Sequence, residues 1–164
     1  MQELPRSLKL ATIWLVLGTA VFLGVQALQH EQARAAFRID GERIEIRRGA
    51  DGHYHWRGEL SGEPVEFLVD TGATSSAMSA ELARRLGLPG EGTVRSQTAG
   101  GPVVGQVVRA DLRLDGGVSV QRLPMVALPN LGDRPLLGMD VLGRLDWRQS
   151  GGVLVIERRA PSRD

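Results

Sequence analysis

The chain has 164 residues, 42% of them apolar, 24% charged and 4% aromatic, which suits one modest domain with a short appendage and argues against a two-domain enzyme. Lys and Arg number 20 against 19 Asp and Glu, so there is no cationic excess to neutralise a phosphate backbone, and nucleic acid is not an expected partner. The lack of Cys excludes disulfide scaffolds, Cys-ligated zinc, Fe–S clusters and thiol catalysis.

Residues 1–9 carry Arg6 and Lys9 against Glu3, and the 20 residues 10–29 that follow bear no formal charge. A helix of that length covers about 30 Å, the thickness of a bilayer's hydrocarbon core. Trp14 lies near one end, where an indole suits the interface, and the positive flank is expected to stay in the cytoplasm. The expected organisation is a cytoplasmic segment 1–9, a transmembrane anchor 10–29, a linker 30–37 and an exported domain 38–159. This describes a single-pass inner-membrane protein whose domain faces the periplasm. A cleaved signal sequence is the alternative, because Ala33-Arg34-Ala35 supplies an A-x-A pattern after the apolar run; it would release a soluble secreted form.

From Ala36 onward 17 acids meet 17 Arg, so architecture must be read from pattern. Residues 43–48 alternate, Asp51-Gly52 signals a turn, residues 53–60 alternate again, and Ser61-Gly62 turns the chain into PVEFLVD. This predicts a β-meander. Residues 79–88 predict a helix, with Ser79 as N-cap, Leu82 and Leu86 on one face and Gly87 at its end. Strands return over 93–114, interrupted by Gly100-Gly101-Pro102. Asp115-Gly116-Gly117 then makes a turn, and residues 118–128 form the next strand. A second short helix is expected over 139–144 and a terminal strand over 152–157. The predicted class is all-β, a closed barrel-like sheet with one or two short helices.

Phe67, Leu68 and Val69 lead directly into Asp70, followed by Thr71, Gly72, Ala73, Thr74, Ser75 and Ser76. A buried strand should not end in a carboxylate unless donors meet the charge, and the hydroxyls and closely approaching N–H groups here supply them. Taken alone, D-T-G is also compatible with a strand cap or an Asx turn. The second feature is Pro135-Leu136-Leu137-Gly138-Met139-Asp140-Val141-Leu142, its Gly138 lying 68 residues beyond Asp70.

With both motifs present, the chain resembles the retropepsin-like aspartic proteases, and more narrowly their bacterial single-pass membrane members. The resemblance runs over about residues 58–157. It implies that Asp70 is the catalytic carboxylate, supported by Thr71, Gly72 and Ala73; that Ala99, Gly100 and Gly101 form the tip of a flap; and that Gly138 is a structural glycine beneath the active-site loop. An ordinary hairpin loop is the alternative for 99–101. Aspartic proteolysis needs two carboxyl groups sharing a proton, and the chain holds one D-T-G, so a homodimer acting on peptide or protein substrates is implied. Ala73 offers no hydroxyl to an ionised carboxylate, which implies a mildly acidic to near-neutral optimum. The substrate pockets are expected from the flap, from Ala77 and Met78, and from residues 103–107. A binding module of the same fold that grips an extended peptide without cleaving it is the alternative function.

Other features carry less. His53 and His55 project from one strand face as half of a zinc site, but no third ligand follows, and no metal or cofactor is expected. Asp133, Asp140 and Asp146 follow no apolar strand with a D-T-G turn; Asp140 opens a helix, where an anion suits the dipole. The charged stretch 31–48 is an expected site of self-cleavage.

Overall fold

The computed structural model describes residues 6–35, 37–40, 43–98 and 100–157. The chain divides into two units, Met1–Ala36 and Phe37–Asp164.

The described residues of the first unit form one helix, α1 (Arg6–Ala35). Its described side chains, Leu10 and residues 12–26, are all exposed, and Thr19 satisfies its hydroxyl on the Leu15 carbonyl one turn back, at 2.8 Å. Among the described residues no helix is long and apolar enough to cross a membrane.

The second unit is built from β1 (Phe37–Asp40), β2 (Arg43–Arg47), β3 (Tyr54–Leu60), β4 (Glu63–Val69), β5 (Ala77–Ser79), α2 (Ala80–Arg85), β6 (Gly92–Thr98), β7 (Gly101–Leu114), β8 (Val118–Leu128), β9 (Leu136–Leu137), α3 (Met139–Leu142), β10 (Asp146–Ser150) and β11 (Val153–Glu157). The expected linker 30–37 is therefore helical as far as Ala35 and enters a strand at Phe37, whose ring packs on the core. The stretch 31–48, expected to be open to self-cleavage, is likewise occupied by the end of α1 and by β1 and β2; residues 36 and 41–42 lie outside the described residues.

Seven strands form one sheet in the order β3-β4-β9-β5-β8-β7-β6, and an additional β3–β7 pairing closes it into a barrel. Closure depends on Gly58, opposite Leu114, because a Cβ there would collide with the Arg113 carbonyl oxygen. β6 lies outside the ring and pairs with β7 through all seven of its residues. A second sheet, β1-β2-β11-β10, is antiparallel throughout. Trp56, Phe67, Ile44, Ile46, Met78 and Leu137 are among the fully buried side chains of one core shared by both sheets, each such burial being worth about 1.5–3 kcal/mol before entropy is counted. Trp56 keeps its indole N–H satisfied at the Asp115 carbonyl, 2.9 Å away.

α2 begins where expected. The Ser79 hydroxyl accepts the Leu82 N–H at 3.1 Å, and the chain leaves through Gly87 at φ +65°. The site itself is placed by β9, which lies between β4, to which it is parallel, and β5, to which it is antiparallel. This sets Leu136 and Leu137 beside Leu68 and Val69, immediately before Asp70.

Candidate active site

Asp70 leaves the end of β4 with its backbone N–H bonded to the Leu137 carbonyl at 3.0 Å. Its Oδ1 accepts the Gly72 N–H at 2.9 Å, and its carbonyl accepts the Ala73 N–H at 3.3 Å. The 70–73 segment is thus a tight turn that folds back on its own carboxylate. Asp70 and Ala73 are half-buried, and Thr71 and Gly72 are exposed at the tip.

The loop is held from below. The Met139 N–H donates to the Ala73 carbonyl at 2.8 Å and the Asp140 N–H to the Thr74 carbonyl at 3.1 Å, so the first turn of α3 uses its free donors on the loop. Ser76, fully buried, ties the two motifs together: its hydroxyl donates to Asp140 Oδ1 at 2.7 Å and accepts the Gly138 N–H at 3.0 Å. The Ser76 N–H donates to both Asp140 oxygens at 3.0 Å, and the Val141 N–H adds a further donor at 3.0 Å. Gly138 lies against this loop so closely that a Cβ would stand 2.6 Å from the Ser75 carbonyl carbon and 2.8 Å from the Ser76 nitrogen. A side chain at this position would therefore have to push the loop away. Asp140 has a larger part than a helix-start charge: its carboxylate is the acceptor that holds residue 76 in place.

Above Asp70 lies a cleft of about 780 Å³, walled by Asp70, Ala73, Ala77, Leu131 and Leu136 among others and roofed by residues 94–98 of β6 with Gly100. Gly100 and Gly101 do form the end of the β6–β7 hairpin, and the Thr98 hydroxyl donates to the Gly101 carbonyl at 2.7 Å; Ala99 lies outside the described residues. Two expectations about the pockets need correction. Met78 is fully buried in the core, and the hairpin faces the cleft with β6 rather than with residues 103–107, because β7 is the strand that pairs on into β8. Val126, Leu128 and Leu131, for which the sequence carries no pocket signal, supply further apolar wall. Among the described residues lining the cleft, Asp70 is the only carboxylate. Among the described residues no group of three or more His, Asp or Glu is arranged to hold a metal ion. His55 instead engages Asp51, with Nε2 2.8 Å and 3.0 Å from its two oxygens.

A barrel closed by β3 and β7, a β9 segment running between β4 and β5 beneath a D-T-G turn, and a hairpin over the cleft define a retropepsin-like all-β lobe. Residues 56–144, more than half of the chain, match the family described as "gag-polyprotein putative aspartyl protease", and the chain belongs to this retropepsin-like aspartic protease family. No curated protein matches it. Among solved structures, a retropepsin-like aspartic protease from Rickettsia conorii shares the fold with a TM-score of 0.56 at 22% identity, over 73% of this chain and 92% of that one. The EIAV protease complexed with the inhibitor HBY-793 aligns with a TM-score of 0.49 at 19% identity, over 60% of this chain and 93% of that one. The retroviral protease-like domain of Ddi1 from Leishmania major gives 0.42 at 16%, over 66% and 95%.

Proposed function

We propose that this chain is one half of an aspartic endopeptidase, a C2 homodimer in which Asp70 of each protomer faces its mate and a water held between them attacks the scissile carbonyl of an extended peptide. The observation that carries this reading is the Asp70 carboxylate, the only one among the described residues of the cleft, on a D-T-G turn beneath a hairpin roof. One carboxyl group ionised and one protonated are both required, the first to take a proton from the water and the second to hydrogen-bond the carbonyl oxygen. A single cleft carboxylate is half of that set. Thr71, exposed at the turn's tip, is available to hydrogen-bond across the axis, and the β6–β7 hairpin is available to close over substrate and exclude water.

In the same reading α1 anchors the enzyme in the inner membrane with the barrel on the periplasmic side. What supports this is the charge-free run 10–29 behind Arg6 and Lys9, the exposed apolar side chains from Leu10 to Val25, and a Thr19 hydroxyl already satisfied within the helix. Confinement to one membrane would raise the effective concentration of the half-sites. Extraction of the full chain by detergent but not by alkaline carbonate is the expected outcome; release by carbonate would remove the anchor from the proposal.

The deciding experiment is cleavage of a diverse peptide library by the full chain, wild type beside Asp70→Asn, over a range of enzyme concentrations. Activity that is lost in the variant and rises faster than linearly with concentration is expected. Peptide binding by both proteins with cleavage by neither would establish the binding module instead.

A further inference from the structure

Between β8 and β9 the chain runs through residues 129–135 without regular structure. Among the described residues its one backbone tie to the barrel is the Pro135 carbonyl, which accepts the Leu68 N–H at 2.9 Å. Yet Leu131, in the middle of this loop, is half-buried and walls two cavities at once. One is the Asp70 cleft, and the other is a more polar pocket of about 480 Å³ that also takes in Asp51, His53 and Arg134. A loop with so few backbone ties needs another cause for presenting an apolar side chain to the cleft.

That cause is a cluster of four side chains from four segments. Arg134, at the far end of the loop, places Nε 3.3 Å from Glu66 Oε2 on β4 and Nη1 3.6 Å from Asp51 Oδ2 in the turn before β3. His55 on β3 stands between those two carboxylates, its Nε2 2.8 Å from Asp51 Oδ2 and its Nδ1 3.6 Å from Glu66 Oε2. A carboxylate only accepts, so Nε2 carries the hydrogen and fixes the Asp51 carboxylate in position. The planar guanidinium can then address both acids through different nitrogens, which a lysine's point charge does less well.

We propose that Arg134 is a positioning residue for the cleft: by bridging Asp51 and Glu66 it clamps the 129–135 loop so that Leu131 forms the wall against which a bulky aliphatic substrate side chain packs. This rests on the protease reading for its kinetic consequence, though not for its structural one. The paired side chains are between 39% and 54% exposed, and exposed ion pairs are weak and screened by salt. The clamp is therefore adjustable: salt and single substitutions shift the loop without unfolding the barrel.

The test uses the full chain as wild type, Arg134→Ala and Arg134→Lys, with two readouts. The first is hydrogen exchange of the Leu68 amide, whose bond to the Pro135 carbonyl is the loop's backbone tie to the barrel, and it requires no catalysis. Exchange at least about threefold faster in Arg134→Ala than in wild type, with the other β3 and β4 amides unchanged, is expected, and the lysine variant should recover part of the protection. Unchanged exchange at Leu68 overturns the clamp. The second is steady-state cleavage of matched peptides that carry either a Leu or an Ala at the position that faces Leu131. Arg134→Ala is expected to raise KM about three- to tenfold for the Leu peptide, to leave kcat within about twofold and the Ala peptide unaffected, and to abolish the wild-type rise of KM with salt. An equal rise for both peptides, or a fall in kcat alone, overturns the positioning role. If the wild type cleaves nothing, the protease reading fails, and the exchange result alone decides the clamp.

Discussion

Ser76→Ala removes one oxygen from the joint between the two halves of the site, and its cost can be worked from the structure. The hydroxyl gives a 2.7 Å hydrogen bond to the Asp140 carboxylate, of the charge-assisted kind worth about 1.5–3 kcal/mol net. It also accepts the buried Gly138 N–H at 3.0 Å, and that donor would be orphaned at a further cost of about 1–3 kcal/mol. Together the loss is about 3–5 kcal/mol, a large share of a typical domain stability of roughly 5–15 kcal/mol. For a domain of about 120 residues this lowers Tm by about 10–20 °C. The Ser76 N–H bonds to Asp140 remain, as do the Met139 and Asp140 N–H bonds to the loop, so the barrel should still fold, but with the Asp70 turn held less firmly to α3. In the proposed protease, a displacement of Asp70 by about 1 Å would cost on the order of 100-fold in kcat. Guanidinium unfolding followed by near-UV circular dichroism measures the stability loss, with Ser75→Ala as an exposed control expected within about 0.5 kcal/mol of wild type. A loss below about 1 kcal/mol for Ser76→Ala would refute the reasoning, because the hydroxyl would then have been replaced at no cost by water or by another donor.

Gly138→Ala puts a methyl group 2.6–2.8 Å from three backbone atoms of Ser75 and Ser76, which no rotamer change can relieve. We expect at least about 1–3 kcal/mol of destabilisation, with peptide cleavage lost before the fold, as measured by the same unfolding curves beside an activity assay. Gly58→Ala sets its methyl against the Arg113 carbonyl at the barrel seam and should open the β3–β7 pairing, seen as faster amide exchange at residues 112–114; unchanged exchange there would mean that the seam flexes freely. The Asp51 carboxyl is held below its ordinary value of 3.8 by the His55 hydrogen bond first and the His53 N–H second. The folded state then binds fewer protons than the unfolded chain, so the stabilisation is complete above about pH 4 and is lost as pH falls through the folded value. The stability difference between wild type and Asp51→Asn should therefore shrink between pH 5 and pH 2, and a constant difference would count against the His55 contact.

The features readable along the chain are those whose cause is local. Alternation over 43–48 and 53–60 comes from one buried and one solvated sheet face, and these segments became β2 and β3. Ser79 caps α2 because its hydroxyl reaches an N–H only three residues on. The D-T-G turn and the L-L-G segment were recognisable because each is a short motif with a steric reason for its residues. β5, with three residues, and β9, with two, left no mark, since a strand that short has no period to read. It exists only because β4, β8 and one another supply partners.

Contacts between distant segments decided the rest. Asp140 looked like a helix-start charge until the fold brought Ser76 to it from 64 residues away. Whether β6 or β7 faces the cleft depends on which strand pairs on into β8, and hairpin composition is silent on that. Leu131 and Arg134 sit in a loop of no recognisable pattern, and they matter because the barrel delivers Asp51 and Glu66 to one end of it and the Asp70 cleft to the other. A linear sequence specifies hydrogen-bonding capacity and hydrophobic period residue by residue. Which carboxylate meets which donor is set by loop closure and strand order, and these exist only once the chain has folded.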